Sequence, residues 1–102
     1  MQSINERIAA ALSIPQAQVN AAVRLMDEGN TVPFIARYRK EVTGSLDDTQ
    51  LRDISDKLSS LRNLEKRRSE IEASIDSQGA MTEELRAAIQ NAATLSALED
   101  LY

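Results

Sequence analysis

Three cations within four positions, Arg37, Arg39 and Lys40, are the residues of this sequence best suited to binding chemistry. Residues 31–45 carry these three positive charges against one negative, Glu41. A guanidinium or ammonium group held outward on a helix is what a phosphate backbone requires, and each such contact adds salt-sensitive affinity. On a helical wheel Phe34, Ile35, Tyr38 and Val42 gather on the side expected to face inward, while Arg37 and Lys40 point outward with Ala36. Arg39 falls at the edge of the apolar face, where its stem snorkels or its head meets a carboxylate. A second basic cluster comprises Arg62, Lys66, Arg67 and Arg68. Arg62 and Lys66 are four apart and share a face, but Glu65, Glu70 and Glu72 are close by, so intrahelical pairing on a solvated face accounts for the same residues. Arg68 lies on an apolar seam and is expected to meet a carboxylate from another helix. The candidate nucleic-acid-binding residues are therefore Arg37, Lys40, Arg62 and Lys66. For each, the competing reading is an ordinary charged surface or a face that docks on protein.

Other chemistry finds little support. The 102 residues include no Cys and no His, which removes disulfides, the usual Cys/His zinc sites, thiol nucleophiles and histidine acid–base catalysis. The carboxylate pairs Asp47/Asp48, Glu83/Glu84 and Glu99/Asp100 do not converge, because adjacent helical residues point about 100° apart. The first two pairs are accounted for by the positive end of a helix dipole. The three glycines are isolated, so no glycine-rich phosphate loop exists. The expectation is a chain that is not an enzyme and holds no cofactor or metal. Its net charge of −4 confines any nucleic-acid contact to a local patch. The only aromatics, Phe34, Tyr38 and Tyr102, are too few for a base-stacking platform. No signal peptide or membrane-length apolar run is present, which points to a soluble protein in a reducing, cytoplasmic setting.

The elements that must position these residues are helices, and the fold class read from the pattern is all-α. Gly29, Gly44 and Gly79 each follow a stretch of helical periodicity, where a left-handed terminator is wanted. The first helix spans about Ile4 to Leu12, opens on a Ser3/Glu6 capping box and aligns Ile4, Ile8, Ala11 and Leu12. A second runs from about Pro15 to Glu28, with Ser13 expected as its N-cap in a second box with Gln16 and a stripe of Val19, Ala22, Val23 and Met26. The third starts after Thr31 and runs unbroken to Gly44. From Asp47 to Gln78 there is neither Gly nor Pro, which predicts one helix of roughly 45–50 Å at 1.5 Å per residue. Its seam is Leu51, Ile54, Leu58, Leu61, Leu64, Arg68, Ile71 and Ile75, with a heptad skip at Leu64. Pairs four apart, including Asp48 with Arg52 and Arg68 with Glu72, support its exposed sides. Thr82 and Thr94 cap two short helices carrying Leu85, Ala88, Ile89 and Ala92, then Leu95, Leu98 and Leu101. The short helices are expected to cover only part of the long seam, leaving a bare apolar edge through which copies self-associate. The abrupt end at Tyr102 reads as a piece of a longer protein.

One run is distinctive: Asp27-Glu28-Gly29-Asn30-Thr31-Val32-Pro33-Phe34-Ile35-Ala36-Arg37-Tyr38-Arg39-Lys40-Glu41-Val42-Thr43-Gly44, followed by Leu46-Asp47-Asp48-Thr49-Gln50-Leu51-Arg52. It closely resembles the N-terminal region of the bacterial Tex family of transcription accessory proteins, and Leu98-Glu99-Asp100-Leu101-Tyr102 is similar to that family too. The resemblance implies a much longer protein, with an RNase H-like domain, helix-hairpin-helix elements and an RNA-binding OB fold beyond this region. It further implies helix-turn-helix-like helices over 1–45, a long central helix over 46–79, and short helices over 80–102 that begin the next region. The partners it implies are RNA or DNA in the context of the full-length protein and the remaining domains of the same chain. A nucleic-acid-associated module that binds weakly by itself is one expectation, and a scaffold without nucleic-acid contact is the other.

Overall fold

A computed structural model of the chain describes residues 2–102. Among the described residues the elements are α1 (Ile4–Leu12), α2 (Gln16–Asp27), α3 (Val32–Tyr38), α4 (Lys40–Thr43), α5 (Asp48–Ser77), α6 (Glu83–Asn91) and α7 (Leu95–Asp100), with no strand. The fold is all-α. The chain divides into two compact units, Met1–Leu61 and Arg62–Tyr102, and α5 supplies residues to both.

Local chemistry accounts for most helix ends in the first unit. The Ser3 hydroxyl accepts from the Glu6 N–H at 3.1 Å and the Glu6 carboxylate accepts from the Ser3 N–H at 3.3 Å, closing the expected capping box. Thr31 accepts from the Phe34 N–H at 3.3 Å. A box not foreseen opens α5: Asp47 accepts from the Gln50 N–H at 2.8 Å and the Gln50 side chain accepts from the Asp47 N–H at 3.1 Å. Ser13 behaves differently from expectation. It is the left-handed residue that ends α1, at φ 55°, and its N–H bonds back to the Ala9 carbonyl. Pro15 takes the N-cap position of α2 without a side-chain bond. The short link between α1 and α2 must reverse direction, and Ser13 supplies the turn that a glycine would otherwise supply.

The expected third helix is two helices. Arg39, at φ −127° and ψ 30°, leaves helical geometry between α3 and α4. Beyond this break Thr43 is fully buried. Its hydroxyl accepts from the Leu46 N–H at 3.3 Å, and the Gln18 side chain donates to the carbonyls of Thr43 at 2.9 Å and Gly44 at 3.0 Å. Gly44 sits at φ +73°, and a Cβ placed on it lies 2.4 Å from Gln18 Nε2. Gly29, in the same unit, has φ +95° but open space around its missing Cβ. Alanine at Gly29 is therefore expected to cost about 1 kcal/mol from the left-handed backbone alone. Alanine at Gly44 is expected to cost about 2 kcal/mol, because Gln18 must also abandon its two carbonyls. Urea unfolding of the two variants checks the difference.

The core of the first unit joins Ile8 of α1, Ile14, Val19, Ala22, Val23 and Leu25 around α2, Ile35 of α3, and Leu46, Leu51, Ile54 and Leu58 at and along α5. Ile14 and Leu25 join it unforeseen, and Ala11, expected on the apolar face of α1, is exposed. In the second unit Leu64, Ile71 and Ile75 of α5 are buried, as are Ile89, Ala92 and Leu98. The seam of α5 is thus covered within the chain in both units. The bare apolar edge expected from the pattern is not present among the described residues, and the basis for self-association through it goes with it.

Arg68 holds the second unit together. It is 9 % exposed and donates to the carbonyl oxygens of Ile89 and of Ala92, the latter at 2.9 Å. Its carboxylate partner is Glu65 on the same helix, at 2.9 Å, rather than Glu72 or a residue of another helix. Glu72 accepts from Gln90 at 3.1 Å and lies 4.0 Å from Arg86, which also bridges to Asp76 at 3.0 Å. Arg67 pairs with Glu99 at 2.5 Å, and the hydrogen bond it donates holds the Glu99 carboxyl below the ordinary carboxylate range. That contribution is present above the ordinary pKa and is lost as pH falls through the depressed one.

Candidate nucleic-acid interface

The outward face of α3 is set by which of two apolar arcs the helix buries. Val32, Ile35 and Ala36 stand at i, i+3 and i+4, and the core takes this arc: Ile35 is fully buried, with Val32 and Ala36 packed beside it. Phe34, Tyr38 and Val42, expected inward, are 37 %, 53 % and 37 % exposed. The smaller arc lets the backbone of α3 approach the core, and the rings are left on the solvent side. The signal for this was available in the sequence, because the rival arc is equally periodic.

The exposed rings and the cations share that surface. Phe34 and Tyr38 have ring centroids 5.1 Å apart with planes tilted by 48°. The Arg37 guanidinium lies 5.5 Å from the Tyr38 centroid and that of Arg39 lies 5.1 Å from the Phe34 centroid. Such cation–ring contacts contribute about 0.5–1 kcal/mol at exposed sites and orient the guanidinium planes. Arg39 also donates to the Tyr38 carbonyl at 3.0 Å. It therefore meets a ring and a carbonyl at the place where a snorkelling stem or a carboxylate was expected.

Arg37 and Lys40, from α3 and α4, are both exposed and line one open cavity of ≈ 690 Å³ with Pro33, Ala36, Ser45, Leu46, Asp47 and Asp48. Ala36, expected outward beside them, is half-buried. The two acidic residues in the same lining offset part of the positive field. Arg62 and Lys66 are exposed on α5 in the second unit, and Arg62 is already engaged by another group. Among the described residues no cluster of His, Cys, Asp or Glu could hold a metal ion, and no helix is long and apolar enough to cross a membrane.

Known proteins place this arrangement in a family. Protein YhgF of Escherichia coli is 58 % identical over 95 residues, covering 93 % of this chain and 12 % of that protein. The transcriptional accessory protein Tex of Neisseria gonorrhoeae is 51 % identical over 100 residues, 98 % of this chain and 13 % of its own length. The human S1 RNA-binding domain-containing protein 1 is 39 % identical over 77 residues, 76 % of this chain and 8 % of that protein. The chain thus spans about an eighth of the bacterial relatives it matches. The profile of the Tex-like protein N-terminal domain matches residues 2–76, which include α1 to α4 and almost all of α5, and the chain belongs to that family.

Proposed function

We propose that this chain is a nucleic-acid-associated helical module of a Tex-like transcription accessory protein, a binding element and not an enzyme, in which Arg37 and Lys40 meet backbone phosphates. The observation that carries this reading is that two exposed cations from successive helices line one open cavity. Ile35 and Thr43, both fully buried, anchor the two helices that carry the cations. The names of the relatives support the setting: one is a transcriptional accessory protein and another carries an S1 RNA-binding domain. In the full-length protein RNA or DNA is the partner, and the other domains of the same chain supply most of the affinity. The arrangement of α1 to α4 serves as a helix-turn-helix-like unit in this reading. Affinity of the chain alone is low, because Asp47 and Asp48 line the same cavity as the cations and the net charge is −4.

Titration with RNA and with duplex DNA at two salt concentrations tests the proposal. Two phosphate contacts give a salt slope near −1.5, so raising salt from about 50 to about 200 mM is expected to weaken binding about eightfold. The paired variant Arg37→Ala/Lys40→Ala is expected to lose most of that slope. Arg62→Ala/Lys66→Ala, the secondary candidates, is expected to change it less, since Arg62 already has a partner. Absence of binding at low salt leaves the scaffold reading.

A further inference from the structure

The exposed rings of α3 have no part in a contact made by cations alone. A duplex backbone is met by charge and needs no aromatic surface. The aromatics were expected to be too few for a base-stacking platform, with Phe34 and Tyr38 turned inward, but these two stand side by side in solvent, on the one stretch before α5 where positive charge exceeds negative by three to one. Each ring is accompanied by a guanidinium, Arg39 at Phe34 and Arg37 at Tyr38. Flat aromatic and guanidinium surfaces beside cations are the elements that bind unpaired strands, where a base stacks on the π surface and the adjoining phosphate meets the charge. In a duplex those base faces are hidden in the stack. The 48° tilt between the rings prevents both from lying flat on one base, so each ring receives its own base in place of the guanidinium that lies over it in the free chain.

We propose that α3 carries a binding site for an unpaired nucleic-acid strand, with bases stacked on Phe34 and Tyr38 and phosphates held by Arg37, Arg39 and Lys40. This rests on the phosphate-contact reading above and adds the strand type. Charge complementarity selects the occupant: the surface is cationic and aromatic, and the strand is anionic with aromatic bases.

The chain contains no tryptophan, so Tyr38→Trp places a single reporter in the site. The 102-residue variant is titrated with oligouridylate, oligothymidylate, an abasic oligonucleotide of equal length and a duplex of equal charge. Saturable quenching by the first two, with none from the abasic strand or the duplex, is expected, and the first two arms separate RNA from DNA. Phe34→Ala/Tyr38→Ala is expected to weaken oligouridylate binding about tenfold in an anisotropy titration. Its helicity is expected to be unchanged, since both rings are exposed. Equal affinity for abasic and normal strands, untouched by the ring variant but weakened by Arg37→Ala/Lys40→Ala, overturns stacking and leaves the phosphate reading standing. No binding of any oligonucleotide at low salt overturns both and leaves the ring face to a protein partner.

Discussion

Replacing Arg68 with leucine is expected to lower the unfolding free energy of the second unit by about 3 kcal/mol. Leucine keeps much of the buried volume, so the loss reports hydrogen bonds rather than a cavity. The carbonyls of Ile89 and Ala92 lie at the C-terminal end of α6, where helical carbonyls have no partner within the helix. Arg68 reaches both from α5, and without it they are stranded at a buried position. Glu65 is the smaller part of the loss, because its side chain is 35 % exposed and can return to water. Arg68→Lys separates charge from geometry. An ammonium keeps the charge next to Glu65 but cannot span two carbonyls as the planar fork does, so it is expected to recover less than half of the loss. Hydrogen exchange read at Ala92 and along α6 localises the effect to this unit. Leucine and parent chains of equal stability would show that water replaces the guanidinium, and would remove Arg68 from its structural role.

Much of this architecture is local and could be read in the sequence for that reason. Caps at Ser3, Thr31, Thr82 and Thr94 involve a side chain and a backbone N–H within three residues, and all four form as expected. The positive φ of Gly29, Gly44 and Gly79 follows from the same short-range chemistry. The seam of α5 is periodic over most of its length and its residues lie where the pattern put them, but they are covered within the chain where a bare edge was expected. What escaped depends on contacts distant in the chain. Beyond the break at Arg39, the end of α4 is held by Gln18, which lies more than twenty residues earlier and donates to the carbonyls of Thr43 and Gly44. Ser13 carries the residue type of an N-cap, but the turn between α1 and α2 uses its backbone instead. The partners of Arg68 could not be inferred from spacing, because two of its acceptors are main-chain oxygens of α6. For the candidate site, the outward placement of Arg37 and Lys40 was legible, and the exposure of Phe34 and Tyr38 was not, since two equally periodic arcs compete and only packing decides between them.

That competition yields the second large expected effect. Ile35 and Phe34 are neighbours of similar hydrophobicity, and the helical wheel put both on the inward side. If the core takes the arc of Val32, Ile35 and Ala36, truncating the two residues must give opposite results. Ile35→Ala empties a fully buried position among the side chains of the first unit, and is expected to cost about 3–4 kcal/mol. Against the 5–15 kcal/mol typical of small domains, that is enough to leave a substantial unfolded population in mild denaturant. Phe34→Ala removes a ring already in partial contact with water, and is expected to cost under about 1 kcal/mol despite deleting more atoms. Urea unfolding of the two variants decides the matter. A larger loss at Phe34 than at Ile35 reverses the assignment of arcs, and with it the outward presentation of Tyr38 and the ring surface on α3. The result expected here ties packing directly to the candidate site: Ile35 anchors α3 from beneath, so its truncation should also abolish the salt-dependent contact of Arg37 and Lys40, although neither cation is changed.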